Sequence, residues 1–371
     1  MVVVLLMAIG AVFVSSAGVN LSVDLDVKNF YNFPGLRQIV FFPISIVVIW
    51  LVSNVNYRRL SFGDSIFKSP LFFVLMLSIG FLVLTLIPSI GIEKNYARRW
   101  LEIPGVGIRF QPSELAKWSM IFFVAAYCDK YGEEIGLFKK RFLPIVMLTG
   151  FVAGLIVIED FGTAAFVSLL CFMILIIAGA KIWQILLPVP FGLAGVIFAI
   201  KTSPARIQRL AAFLDPEKWA DSAAYQANQS LIAIGTGGLW GKGLGHGICK
   251  YGHLPEDTTD FIFAIICEEM GFVGAVGVIL LFIIFAWLGM LVVMRAKDRF
   301  GMLLGAAIVL AISIQAALNI GVVTVVLPTK GIPLPFVSSG GTSMLMSAAA
   351  AGILLNIAKK PAEPDNNGDL S

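Results

Sequence analysis

The segment Leu254-Pro255-Glu256-Asp257-Thr258-Thr259-Asp260-Phe261-Ile262-Phe263 sets three acids immediately before a long apolar run. That run, Phe261 to about Val293, reads as a membrane-spanning helix. Carboxylates at the mouth of such a helix are costly unless they face water, a partner charge or a substrate. Two readings are open. In the first, Asp257, Thr258 or Thr259 caps the helix and Asp260 sits in its first turn, where a negative charge suits the helix dipole. In the second, the carboxylates face a substrate at the membrane surface.

Other charges stand in unusual places. Arg98, Arg99 and Arg109, then Lys201, Arg206 and Arg209, fall in loops that the overall charge balance puts outside the membrane. This runs against the inward bias of Lys and Arg. They are either solvated surface or a receptor for an anion. The run Gln111-Pro112-Ser113-Glu114-Leu115-Ala116-Lys117 puts proline in a first helical turn and sets Glu114 and Lys117 on one face, where they can pair. Lys330 lies within Leu327 to Ser343, whose three prolines and three glycines forbid a continuous helix. At membrane depth such backbone is buried in protein or lines a wet cavity. The plainer alternative is an outer loop that reverses the chain. Trp100 suits either a lipid or sugar face or an interfacial anchor.

Some motifs lead nowhere. Gly235 to Gly245 invites a phosphate-loop reading, but Thr236 stands where the first glycine belongs and Gly243 follows Lys242 in place of Ser or Thr. Flexible backbone near the membrane surface is the expected use. His246 and His253 share one loop without a recognisable metal pattern. Cys128, Cys171, Cys249 and Cys267 show no CxxC spacing.

The elements that must position these groups are membrane helices. Hydrophobic residues make up 58% of the 371 and charged residues 13%, against about 25% charged in a soluble domain. The pattern predicts an all-α polytopic membrane protein with ten spans: Met1 to Ala17, Ile39 to Val55, Leu71 to Ile90, Leu115 to Tyr127, Leu143 to Ile158, Phe161 to Ala178, Trp183 to Ile200, Phe261 to Val293, Met302 to Leu327 and Ser343 to Ile357. Met1 to Ala17 lacks a basic start and is expected to stay as a first helix. Between Ile158 and Phe161 a tight turn or a broken helix is expected. Loop charges put both termini in the cytoplasm. Residues 1–360 then form one domain, with an extracytoplasmic loop at 201–259 that begins as a basic amphipathic helix, and 361–371 is a disordered tail.

Five blocks now fall into order. They are Ala97-Arg98-Arg99-Trp100 with Gln111 to Lys117; Asp160-Phe161-Gly162-Thr163-Ala164; Tyr225-Gln226-Ala227-Asn228-Gln229-Ser230 through Gly243; Leu254 to Phe263 with Glu268-Glu269-Met270-Gly271; and Lys330 to Gly341. Together the chain resembles the SEDS family (shape, elongation, division and sporulation), the FtsW/RodA/SpoVE glycosyltransferases, over nearly its whole length. Thr329-Lys330-Gly331 looks closer to the division branch, FtsW. The resemblance implies a bacterial inner-membrane enzyme that polymerises lipid II at the outer face and releases undecaprenyl pyrophosphate. It also implies a class B penicillin-binding protein as partner, other divisome or elongasome proteins nearby, and no nucleic acid. In the family the acid of the Thr-Asp-Phe-Ile-Phe block is catalytic, which falls on Asp260. Arg98, Trp100, Glu114, Lys117, Asp160, Gln226, Gln229 and Lys330 make up the expected substrate-binding set. Two departures stand out. The proline that usually precedes Asp160 is missing, so Glu159 is displaced by one, and Ser339 stands where an aromatic hydroxyl is usual. No role is assigned to either.

Lipid II carries its sugar on a pyrophosphate, already a good leaving group. One carboxylate plus cations is therefore a sufficient inventory, unlike the paired carboxylates of glycoside hydrolysis. Arg98, Lys117 and Lys330 are the expected leaving-group cations, and a divalent ion can share that task. Glu268 and Glu269 lie about 12 Å deeper along the helix and are expected to pair within the bundle. Two rival functions are a lipid II flippase and a non-enzymatic scaffold of the same complexes.

Overall fold

The computed structural model describes residues 1–18, 33–94, 97–102, 109–220, 222–250, 254 and 258–359. Glu256, Asp257 and His253 lie outside these, as does the tail 361–371. The helices are α1 (Val2–Ala17), α2 (Pro34–Ser53), α3 (Pro70–Thr85), α4 (Pro112–Tyr131), α5 (Leu143–Glu159), α6 (Phe161–Ile177), α7 (Ile182–Leu186), α8 (Val189–Lys201), α9 (Pro204–Leu214), α10 (Tyr225–Gly237), α11 (Ile262–Arg295), α12 (Arg299–Val323) and α13 (Gly341–Lys359). Among the described residues, six stretches are long and apolar enough to cross a membrane, and α1, α3 and α6 are shorter apolar helices. Each of the ten apolar runs meets a helix, except that Trp183 to Ile200 is split. There α7 ends at Leu186 and α8 restarts beside Pro188, because proline cannot continue the hydrogen-bond ladder.

Local sequence sets the boundaries. Six helices, α2 to α5, α8 and α9, begin with proline in their first two positions, where its missing N–H costs nothing. The turn between α5 and α6 is a single residue, Asp160. A feature not expected from the sequence is a small antiparallel sheet, β1 (Ile92–Lys94), β2 (Ala97–Glu102) and β3 (Arg109–Phe110), in order β1-β2-β3. It brings Arg99 and Trp100 over the start of α4.

Packing centres on α4, which meets α3, α6 and α12 and is buried along most of its length. That shelter is what lets Glu114 and Lys117 sit in a helix at membrane depth. α1 lies against α2 and α11 as part of the bundle. The irregular stretch before α13 is no exposed loop. Ile332, Leu334 and Phe336 to Ser339 are buried, and Gly10 of α1 admits the Val337 backbone so closely that a Cβ would stand 2.5 Å from its carbonyl.

The glycine-rich run is also docked, where flexible backbone was expected. α11 has 34 residues, about 51 Å of helix against a bilayer core of about 30 Å, and it breaks at Gly271 (φ 66°, ψ −163°). At the break the 238–243 backbone supplies partners. Phe272 N–H donates to Gly238 O at 2.9 Å, and the N–H groups of Lys242 and Gly243 donate to Glu268 O and Glu269 O at 3.0 Å. Side chains at Gly237, Gly241 or Gly271 would collide with this backbone. Glu268 and Glu269 accordingly pair with the loop: Lys242 reaches Glu268 at 2.7 Å and Lys250 reaches Glu269 at 2.9 Å. Ser16 of α1 also donates to Glu269.

Candidate functional site

The starts of α2, α4, α6 and α13, the last turns of α12, and the turn before α11 converge at one end of the bundle. They enclose a cavity of about 260 Å³. Its lining carries six cations, Arg37, Arg99, Arg109, Lys117, Arg209 and Lys330, against three acids, Glu114, Asp160 and Asp260. Such an excess of fixed positive charge in a concave, partly dry site favours an anion.

Asp260 is neither a cap nor a first-turn acid. The N-cap of α11 is Phe261, no acid lies in its first turn, and Asp260 precedes both. Its backbone is pinned instead. Asn319 Nδ2 donates to Asp260 O at 2.7 Å, Ser338 Oγ donates to Thr259 O, and Ser339 N–H donates to Thr258 O at 2.9 Å. The half-buried carboxylate rests against Gly331, where a Cβ would stand 2.7 Å from Oδ2.

Lys330 and Arg209 are lining cations that make no hydrogen bond or ion pair among the described residues. The Lys330 ammonium lies 5.4 Å from the centre of the Phe161 ring. Burial pushes it below the ordinary lysine range, and Asp160 pulls it partly back. Its stem runs over Gly162, where a Cβ would take the place of the Lys330 Cε. Lys117, by contrast, has its three protons occupied: Glu114 Oε1 and Oε2 at 3.0 and 2.8 Å, and Gln315 Oε1 at 3.0 Å.

Other expected residues divide. Trp100 and Gln226 line the cavity. Asp160 lines it too, but its oxygens cap α6, accepting from Gly162 N–H, Thr163 N–H and Thr163 Oγ1. Arg98 and Gln229 are not on the lining. Along β2 neighbouring side chains alternate in direction. The Arg98 guanidinium meets Glu93 at 3.3 Å, and its neighbour Arg99 faces the cavity. Glu159 fastens this strand, its carboxylate taking Arg98 N–H and its carbonyl taking Arg99 Nε. Ser339 has a structural part, accepting from Arg37 at 2.6 Å.

Sequence reasoning missed Arg37, Gln315 and Asn319. A signal existed: Gln315 and Asn319 are polar residues four apart in the apolar run of α12. Arg37 lay in a stretch read as a loop. Among the described residues no three His, Cys, Asp or Glu side chains cluster as a metal cage. The oxygens of Glu114 and Asp160 are engaged by the Lys117 ammonium and by the start of α6.

A family model described as cell cycle protein, covering FtsW, RodA and SpoVE, matches residues 1–363. The chain belongs to the FtsW/RodA/SpoVE family. It is 35% identical over 362 residues to stage V sporulation protein E of Bacillus subtilis (strain 168), covering 96% of this chain and 95% of that protein. It is 34% identical over 357 residues to a probable peptidoglycan glycosyltransferase FtsW of Coxiella burnetii, covering 95% and 93%. The fold is similar to that of a chain from a peptidoglycan synthase complex that coordinates polymerization and crosslinking, with TM-score 0.73, 25% identity and 96% of each chain covered. Thermus thermophilus RodA shares the fold at TM-score 0.65 and 24% identity, with 96% and 94% covered. This family member is accordingly a multi-pass membrane protein.

Proposed function

We propose that this chain is a peptidoglycan glycosyltransferase that polymerises lipid II into glycan strands. The observation that carries it is Asp260: a carboxylate outside its helix, pinned by its backbone, in a cavity where cations outnumber acids. In the reaction the acceptor sugar hydroxyl attacks the anomeric carbon of the donor. Asp260 takes the hydroxyl proton, a new glycosidic bond forms, and the bond to pyrophosphate breaks. The leaving electron pair stays on the lipid pyrophosphate. Lys330, with a desolvated and unclaimed ammonium, meets that charge, and Arg37, Arg99 and Arg209 surround it. Trp100 and Gln226 contact the sugar or lipid, whereas Asp160, Glu114 and Lys117 hold the wall in shape.

Placing the cavity at the outer face of the bacterial inner membrane, with ten crossings and cytoplasmic termini, agrees with the loop charges. The charged lining of this cavity gathers at one end of the bundle, whereas a flippase needs a polar path through the whole bilayer. A class B penicillin-binding protein is the proposed partner, from the likeness to a synthase complex. The test uses purified full-length protein with fluorescent lipid II, alone and with that partner. Polymer ladders support the proposal. Lipid transfer between leaflets without polymer under either condition overturns it in favour of flipping, and neither product leaves a scaffold.

A further inference from the structure

Gln315 and Asn319 stand four residues apart, hence on one face of α12, and both are buried. Each bridges two other parts of the chain. Asn319 Nδ2 donates to Asp260 O and to Ile332 O, both at 2.7 Å. Gln315 Oε1 accepts from the Lys117 ammonium at 3.0 Å, and its Nε2 donates to Pro333 O at 2.9 Å. Four hydrogen bonds from one helix face thus join the stretches that carry Lys117, Asp260 and Lys330. Two of those stretches lack any repeating backbone pattern that would set their spacing. Asp260 sits in a turn before α11, and Lys330 in the irregular chain before α13. The tolerance is narrow, because the Asp260 carboxylate already rests on Gly331.

We propose that Asn319 and Gln315 are positioning residues for glycosyl transfer. Asn319 sets Asp260 against the Lys330 segment, and Gln315 holds the same segment against Lys117. Neither touches the reacting atoms. A base and a leaving-group cation drawn from separate segments must be held to within about 0.5 Å, and a misplacement of about 1 Å costs on the order of 10²-fold in rate. Hydrocarbon side chains would leave the Asp260, Ile332 and Pro333 carbonyls and one Lys117 proton without these partners, so the amides also stabilise the fold, and a kinetic readout is needed to separate positioning from stability. The inference rests on the polymerase reading above.

The experiment measures kcat and KM for lipid II polymerisation by the full chain with its penicillin-binding partner, alongside melting temperature in detergent. Asn319→Leu keeps the volume and removes both donors. Its kcat is expected to fall at least roughly ten-fold with KM near wild type at matched folded protein, while the melting temperature also drops because the Asp260 and Ile332 carbonyls lose their donor. Gln315→Glu keeps the acceptor for Lys117 but loses the donor to Pro333 O, so the bridge is cut and kcat is expected to fall in it as in Gln315→Leu. A wild-type kcat in Asn319→Leu overturns the proposal. If Asn319→Leu does not fold, Gln315→Glu decides: a wild-type kcat in it overturns the proposal, and a fall of roughly ten-fold with KM near wild type supports it. Wild-type protein that makes no polymer overturns the polymerase reading itself, before any variant is read.

Discussion

Asp260 and Lys330 divide the chemistry between a base and a cation. Asp260→Asn keeps the size of the side chain but cannot take a proton, so polymerisation is expected to fall at least ~10²-fold with folding unchanged. Wild-type polymer from this variant would remove Asp260 from the mechanism. Lys330→Met keeps the stem and removes the charge, and a loss of ten-fold or more, about 1.4 kcal/mol, is expected. The pH profile adds a second test. Burial lowers the Lys330 pKa, so its proton leaves below the ordinary lysine value of about 10.4, and activity that needs the charge falls on the alkaline side before that value is reached. Lys330→Arg stays charged there and should lose that limb while recovering only part of the rate, because a planar fork does not replace a compact ammonium. Gly162→Ala offers a check that leaves the lysine in place. The added methyl displaces the flexible end of Lys330, so activity should drop while melting temperature barely moves.

At the scale of elements, the two ends of α12 do different work. Its outer end carries Gln315 and Asn319. Its other end is capped by Asp298, which accepts from Gly301 N–H at 2.6 Å, Tyr57 Oη at 2.8 Å and Arg58 Nε at 2.7 Å. Burial raises the pKa of Asp298, but these donors outweigh it and hold it below the usual aspartate range. A depressed folded pKa means the stabilisation is present above the unfolded value, about pH 4, and is lost as pH falls through the folded one. Detergent melts from about pH 5 to about pH 3 should therefore cost wild type more than Asp298→Asn, which still caps but does not ionise. An equal loss in both would remove Asp298 as the source. The helices themselves were legible because proline starts and apolar length are local signals. The sheet β1-β2-β3 was not, since its strands are two to six residues long. Without the strand, its alternation cannot separate Arg98, expected in the substrate-binding set, from Arg99, which faces the cavity.

For the whole molecule, orientation is the property to test. The external labelling of Cys249 that its loop position suggests is not expected, since all four cysteines are buried. Exposed sites are better reporters in a chain with those cysteines replaced. Trp240, 80% exposed in the loop before α11, becomes Trp240→Cys and should react with an impermeant thiol reagent in intact cells. Leu137, before α5, becomes Leu137→Cys and should react only after permeabilisation. The reverse pattern would put the cavity on the cytoplasmic side, away from the outer face where polymerisation is proposed.

The membrane class, the rough positions of the helices and the family blocks were determined by the sequence alone, because each depends on residues close together along the chain; the limits were not, since α2 begins at Pro34 rather than Ile39 and α3 ends at Thr85 rather than Ile90. Length and apolarity define a span, and proline marks its start. What only the tertiary structure decided is which polar groups meet. Lys117 could be read as a leaving-group cation paired with Glu114 alone until α12 brought Gln315 to its third proton. The glycine run could be read as flexible until the break at Gly271 received it as a hydrogen-bond partner. Asp260 could be read as a first-turn acid until α11 was seen to begin after it and Asn319 to hold its backbone. A membrane interior offers no water to satisfy a stray polar group, so each of these must find its partner in protein. The partners stand 59 residues away for Asp260 and 198 for Lys117, and no local pattern carries that information.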